Sequence, residues 1–330
     1  MKAALVAFLA AGCTSAFGQF YPGPSPTASD AERVQRMLQL FGGKTGTWDE
    51  PIKWMGRNRM CSLAEAGWRG AAAERILGIF QKAAFLNPPH GFEVQTTVSG
   101  IGRGPLDFLT DDSDATGSHS GAFRVSLSLF PGTVREAGES GMHIIINVNV
   151  IAAASHAGGH TGTLARKPVV VDAKGPILRG APGGAQPAGT FGGIPFNADR
   201  SMVLTKTAQP MYLPVSRERY LKAEIAGPSK ALAARLEETL AAMSAAERAL
   251  PAWIGCDGPA GLCGTADRLL KTACPLQTVN RAFFDLKAPA ESMQLIVIRV
   301  AENRDPYANY LFQRIFETVD WNALLGLVRD

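Results

Sequence analysis

At 330 residues, 46% hydrophobic and 19% charged, the chain is long enough to bury a sizeable core and has the composition of a folded protein. Its 33 basic and 29 acidic residues leave a net charge of +4. That small excess, with no long basic run, gives no expectation of a nucleic-acid partner.

The chain opens MKAALVAFLAAGCTSAFGQ: Lys2, an apolar run over residues 3–11, then small residues. This is the layout of a secretory signal, and the run is far short of the roughly 20 residues that a membrane-spanning helix requires. Residues 1–18 are therefore expected to be a signal peptide, with Ala16 and Gly18 placed for cleavage, and the protein to be secreted or periplasmic. LAAGC resembles a bacterial lipobox with its leucine one place early, so a lipid anchor at Cys13 on an envelope protein is the alternative. That anchor is the only membrane contact expected.

Residues 19–28 contain FYPGPSPT, a proline-rich tether. A single domain is expected over residues 29–330. Ser29 or Asp30 is placed to cap a helix whose apolar positions Val34, Met37, Leu38 and Phe41 recur at helical spacing, with Gly42 and Gly43 ending it. A second helix is expected over residues 62–84. The basic residues from Lys53 to Arg75, among them Arg57, Arg59 and Arg69, read as a solvated helical face.

The period then changes from 3.6 to 2. FEVQTTVS, AFRVSLSLF and MHIIINVNV each alternate apolar with polar residues. Phe92, Val94, Val98, Val125, Leu127, Ile144 and Ile146 fall on one side; Glu93, Gln95, Arg124, His143, Asn147 and Asn149 fall on the other. Alternation this regular predicts an antiparallel sheet with one solvated face.

Residues 155–200 are rich in glycine and proline, interrupted by the expected strand PVVVDA, and a flexible loop is expected at about 174–195. SMVLTKTA reads as a strand. PVSRERYLKAEIA and SKALAARLEETLAAM read as helices, the first capped by Ser216 and the second with a Leu232, Leu236, Leu240, Met243 packing stripe. MQLIVIRV is a further strand, and a helical segment is expected over residues 306–328. The fold class is α+β: an antiparallel sheet in the middle of the chain, helices from its N- and C-terminal parts packed on one face, and disulfide staples.

With Cys13 removed or acylated, Cys61, Cys256, Cys263 and Cys274 remain, and four cysteines allow three pairings. The expected bridges are Cys256 with Cys263, closing CDGPAGLC, and Cys61 with Cys274. Their spacing does not suit zinc.

Three histidines lie in GMHIIINVNVIAAASHAGGHTG, but an extended strand puts His143 about 30 Å from its far end, away from His156 and His160. Those two are four apart, yet the glycines between them disfavour the helix that would aim both rings at one metal. They remain an alternative metal site on a loop. DDSDATG places Asp112 and Asp114 as alternate oxygen ligands, an alternative calcium site, although Phe123 stands where an EF-hand needs a glutamate. GSHSG carries His119 where a nucleophile elbow needs serine. No cofactor is expected apart from that calcium alternative.

The ligand-binding candidates are thus His143, Asn147, Asn149 and Arg124 on the solvated sheet face. The expected function is that of an exported, non-catalytic binding or accessory protein for a small-molecule or protein ligand. The alternatives are a secreted hydrolase whose residues form no recognisable motif, and a structural envelope component.

Overall fold

The computed structural model describes residues 27–48, 53–56, 59–62, 67–100, 123–131, 142–150, 169–180, 187–197, 200–227, 230–269, 272–280, 282–289, 291–300 and 305–329. The expected signal peptide at residues 1–18, Cys13, Asp112, Asp114, His119, His156 and His160 lie outside the described residues.

Helix α1 (Ala28–Phe41) is capped by Thr27, two residues before Ser29 and three before Asp30, the expected caps. The Thr27 hydroxyl accepts from the Asp30 amide, and the Asp30 carboxylate accepts from the Thr27 amide, so each satisfies an orphan donor of the first turn. Strands β1 (Lys53–Gly56) and β2 (Arg59–Ser62) follow, paired antiparallel, where the sequence suggested a continuous helical face. Helix α2 (Trp68–Lys82) is correspondingly shorter.

The alternating segments form β3 (Phe92–Gly100), β4 (Phe123–Pro131) and β5 (Met142–Val148). They are followed by β6 (Val170–Asp172), β7 (Gly175–Arg179), β8 (Pro187–Phe191), β9 (Ile194–Asn197), β10 (Ser201–Leu204) and β11 (Tyr212–Pro214). Then come α3 (Arg217–Ile225), α4 (Lys230–Ala242), α5 (Ala245–Ala249), β12 (Trp253–Ile254), β13 (Cys274–Val279) and β14 (Ile296–Val300). Helices α6 (Pro306–Thr318) and α7 (Trp321–Gly326) complete the described elements.

The larger sheet has the order β2-β1-β3-β4-β5-β14-β10-β9-β8, antiparallel except for the parallel pair β1 with β3. One face carries Val94, Val98, Val125, Leu127, Ile144, Ile146, Ile296, Ile298 and Met202, fully buried under α1, α2, α6 and α7. Each such aliphatic side chain contributes roughly 1.5–3 kcal/mol on burial, and this layer is the main core. The α+β architecture, with N- and C-terminal helices on one face of the sheet, is thus present. Arg33 ties α1 to α6 by two hydrogen bonds of 2.9 Å to Asp305, which also caps α6 by accepting from the Tyr307 amide.

A smaller sheet, β11-β13-β7-β6, lies against the other face of the large sheet at its β14 and β10 strands. Leu178, Val279, Phe283 and Phe284 bury Leu295 and Val297 there. Beyond it, α3 and α4 cover the far side of this sheet through Tyr220, Leu221 and Leu236. Within the α4 stripe only Leu236 is fully buried, while Leu232 is exposed.

Two expectations are corrected. The segment at 174–195 is not one long loop, since it contains β7, β8 and the first residues of β9. The β8–β9 turn is Gly192-Gly193, with φ of 55° and 79°, the pair of left-handed residues that a two-residue hairpin turn with the sheet's own twist requires. Phe191 on this hairpin packs edge-on against Phe196 and Phe316, and Trp321 closes the aromatic cluster while donating its indole N–H to the Phe316 carbonyl at 2.7 Å. The disulfide Cys256–Cys263 is present, but Cys274 is a free thiol. Cys274 sits in β13 of the small sheet, opposite Ile254, whereas Cys61 sits in β2 at the edge of the large sheet, so the proposed Cys61–Cys274 bridge does not form.

Candidate functional site

Opposite the main core, strands β3, β4 and β5 present a face of half-buried polar groups: Glu93, Gln95, Thr97, Ser126, Ser128 and His143, with Arg124 exposed. The face exists because the period of two sends every apolar neighbour to the helix side. Register then decides which polar groups meet. In the β4–β5 ladder Ser128 lies opposite His143, Ser126 opposite Ile145, and Arg124 opposite Asn147.

Two cross-strand pairs result. Ser128 Oγ is 2.9 Å from His143 Nδ1. Arg124 Nε donates to Asn147 Oδ1 at 3.0 Å. Four residues of strand separate the pairs, about 13 Å, so they are neighbours on one surface and not a single constellation. Burial lowers the His143 pKa from the ordinary imidazole value of 6.5, which favours the neutral ring. A neutral ring has one bare nitrogen, and with Nδ1 bare the Ser128 hydroxyl is the donor.

Arg124 has no acceptor atom, so the oxygen of the Asn147 amide must face it. The Asn147 Nδ2 hydrogens therefore lie on the opposite edge of the amide. The Asn147 residue is 3% exposed, lying between Arg124 on β4 and Val297 on β14.

Asn149 does not belong to this face. Its φ is 56°, which turns the chain out of the strand, and its side chain is wholly buried. Oδ1 accepts from the amides of Gln294 and Leu295 at 2.8 and 3.2 Å, and Nδ2 donates to the Ser292 carbonyl at 2.7 Å. Asn149 thus locks the end of β5 to the segment leading into β14 through its side-chain oxygen and nitrogen and through its backbone N–H, which donates to the Leu295 carbonyl at 2.8 Å.

The Glu93 side chain, on the same face as Gln95, makes no hydrogen bond or ion pair among the described residues. It is not joined to His143. The alternation of AFRVSLSLF puts Ser126 and Ser128 on this face, while the sequence reading missed Arg299. Arg299 interrupts an otherwise apolar strand at a period-two position, opposite both Ile145 and Ser201, and this places it on the polar side. A charged residue in such a strand is the signal that was there to find.

Among the described residues no group of three or more His, Cys, Asp or Glu side chains is placed to hold a metal ion, and no helix is long and apolar enough to cross a membrane. No family model, curated protein or solved structure matches the chain.

Proposed function

We propose that this is an exported binding protein whose ligand lies on the polar face of β3, β4 and β5. The carrying observation is that the two ordered pairs, Ser128 with His143 and Arg124 with Asn147, stand on the side of the sheet that α1, α2, α6 and α7 leave uncovered. Polar side chains fixed in geometry by cross-strand contacts lose little freedom when a ligand docks, which is what a selective site requires. Export is supported by the leader-like start of the chain and by the Cys256–Cys263 disulfide, which persists in oxidising compartments.

The test is a ligand-observed NMR screen of polar small molecules, charged and neutral, run in parallel on the wild type and on Ser128→Ala/His143→Ala. The reading expects compounds whose saturation transfer is lost in that double variant or in a second one, Arg124→Ala/Asn147→Ala. If every binder is indifferent to both variants, the face is not the site.

The Ser128–His143 pair favours a second reading, hydrolysis with Ser128 as nucleophile. A fluorophosphonate probe discriminates. Attack would form the Oγ–P bond, expel fluoride and pass the hydroxyl proton to His143 Nδ1, giving a labelled peptide containing Ser128. An unlabelled Ser128 leaves the binding reading alone.

A further inference from the structure

Arg299 is the one guanidinium on β14, half-buried, and its side chain makes no hydrogen bond or ion pair among the described residues. None of its nitrogens is buried without a partner, so the guanidinium reaches solvent and its donors are open to a ligand. Along its row of the large sheet stand Thr97, Ser126, Ile145, Arg299 and Ser201, in that order across β3, β4, β5, β14 and β10. One pair further along is Asn147, whose Nδ2 hydrogens are turned away from Arg124 and so away from β4. Arg299 and Asn147 Nδ2 therefore offer donors only, on adjacent strands, two residues apart in register.

The chemistry that answers this arrangement is an oxyanion. A carboxylate or phosphate accepts two N–H bonds from a guanidinium in one plane, and a third from a nearby amide. Ser126 lies two strands from Arg299, roughly 10 Å away at the usual strand spacing, with the half-buried apolar side chain of Ile145 between them. A molecule with an anionic head, a short apolar middle over Ile145 and a hydroxyl or carbonyl at Ser126 spans that distance.

On this basis, and resting on the reading of the polar face as the binding surface, we infer that the ligand is a small organic anion held by Arg299 and Asn147. Carboxylate and phosphate heads share this recognition, and the experiment separates them.

The protein is titrated with citrate and, separately, with inorganic phosphate, following the Arg299 Nε–Hε resonance of 15N-labelled wild type and measuring affinity by calorimetry. Saturable movement of that resonance by either anion is expected, with the stronger response identifying the head group. Affinity should fall about ten-fold or more in Arg299→Gln, as loss of a charge-assisted hydrogen bond predicts, and recover in part in Arg299→Lys. An unmoved resonance, or equal affinity in Arg299→Gln, overturns the inference. Thermal unfolding of Arg299→Gln at the wild-type temperature establishes that the variant is folded. If the screen instead yields neutral compounds that require Ser128 and His143 but not Arg299, the anion inference fails while the binding face stands.

Discussion

At the scale of single residues, the candidate face divides into groups that orient one another and a group that waits. Neutral His143 against Ser128 carries a pH signature. Because burial holds its folded pKa below the ordinary 6.5, the unfolded chain takes up the proton first as pH falls. The contribution of His143 is fully present above about pH 6.5 and is lost as pH drops through the folded value. Chemical denaturation of wild type and His143→Gln at a series of pH values should show wild type losing stability relative to the variant only below that point, and parallel curves would remove the burial argument. Asn149 predicts a larger effect. Asn149→Ala strands two amides and a carbonyl and places alanine at positive φ, so it should cost about 3 kcal/mol or more in urea unfolding. His143, Asn147 and Arg124 were legible on a solvated face because alternation alone assigns the face. Their partners were not, because the register of β5 on β4 fixes that Ser128, and not Glu93, meets His143. Asn149 misled for a related reason: alternation assumes that the strand continues, while the backbone of residues 292–295 turns it.

At the scale of elements, the sequence was read best where amphipathic patterns were long. Strands β3, β4, β5 and β14 and helices α1, α3, α4 and α6 follow directly from spacing, and Ser216 caps α3 as its sequence predicts, accepting from the Arg219 amide. The short strands β1, β2, β7, β8 and β9 were hidden by composition, since basic residues suggested a helix surface and glycines a loop. In β8–β9 the apolar residues Phe191 and Ile194 flank the two glycines, and that flanking is a hairpin signal which overall glycine content obscures. The turn yields a prediction. A Cβ on Gly192 would meet the Trp321 side chain at 3.1 Å and would sit at positive φ, so Gly192→Ala should lower stability by about 1–2 kcal/mol. Urea unfolding of wild type and variant followed by circular dichroism reports it, and an unchanged midpoint would mean that the hairpin is not packed on α7.

At the scale of the whole molecule, the two sheets share one architectural consequence. The smaller sheet covers the β14 and β10 end of the large sheet's second face with apolar side chains and leaves the β3–β5 end polar, with Asn147 and Arg299 along the boundary. Sequence patterning predicted a half-solvated sheet, but packing of one sheet on another depends on contacts distant in sequence, such as Leu178 with Val297, which periodicity does not encode. The free Cys274 belongs to the same limit, since pairing depends on which strands adjoin. Iodoacetamide should alkylate Cys274 in the native protein and reach Cys256 and Cys263 only after reduction. Opening their short loop should cost about 2.5 kcal/mol on the chain-entropy relation, measured by comparing oxidised and reduced unfolding. The central claim is that the polar face of β3, β4 and β5 is where this protein binds. Amide chemical-shift mapping with the tightest compound from the screen tests it most directly. The account predicts shifts clustered at Ser126, Ser128, His143, Asn147 and Arg299, and shifts confined to the helix layer or to the smaller sheet would contradict it.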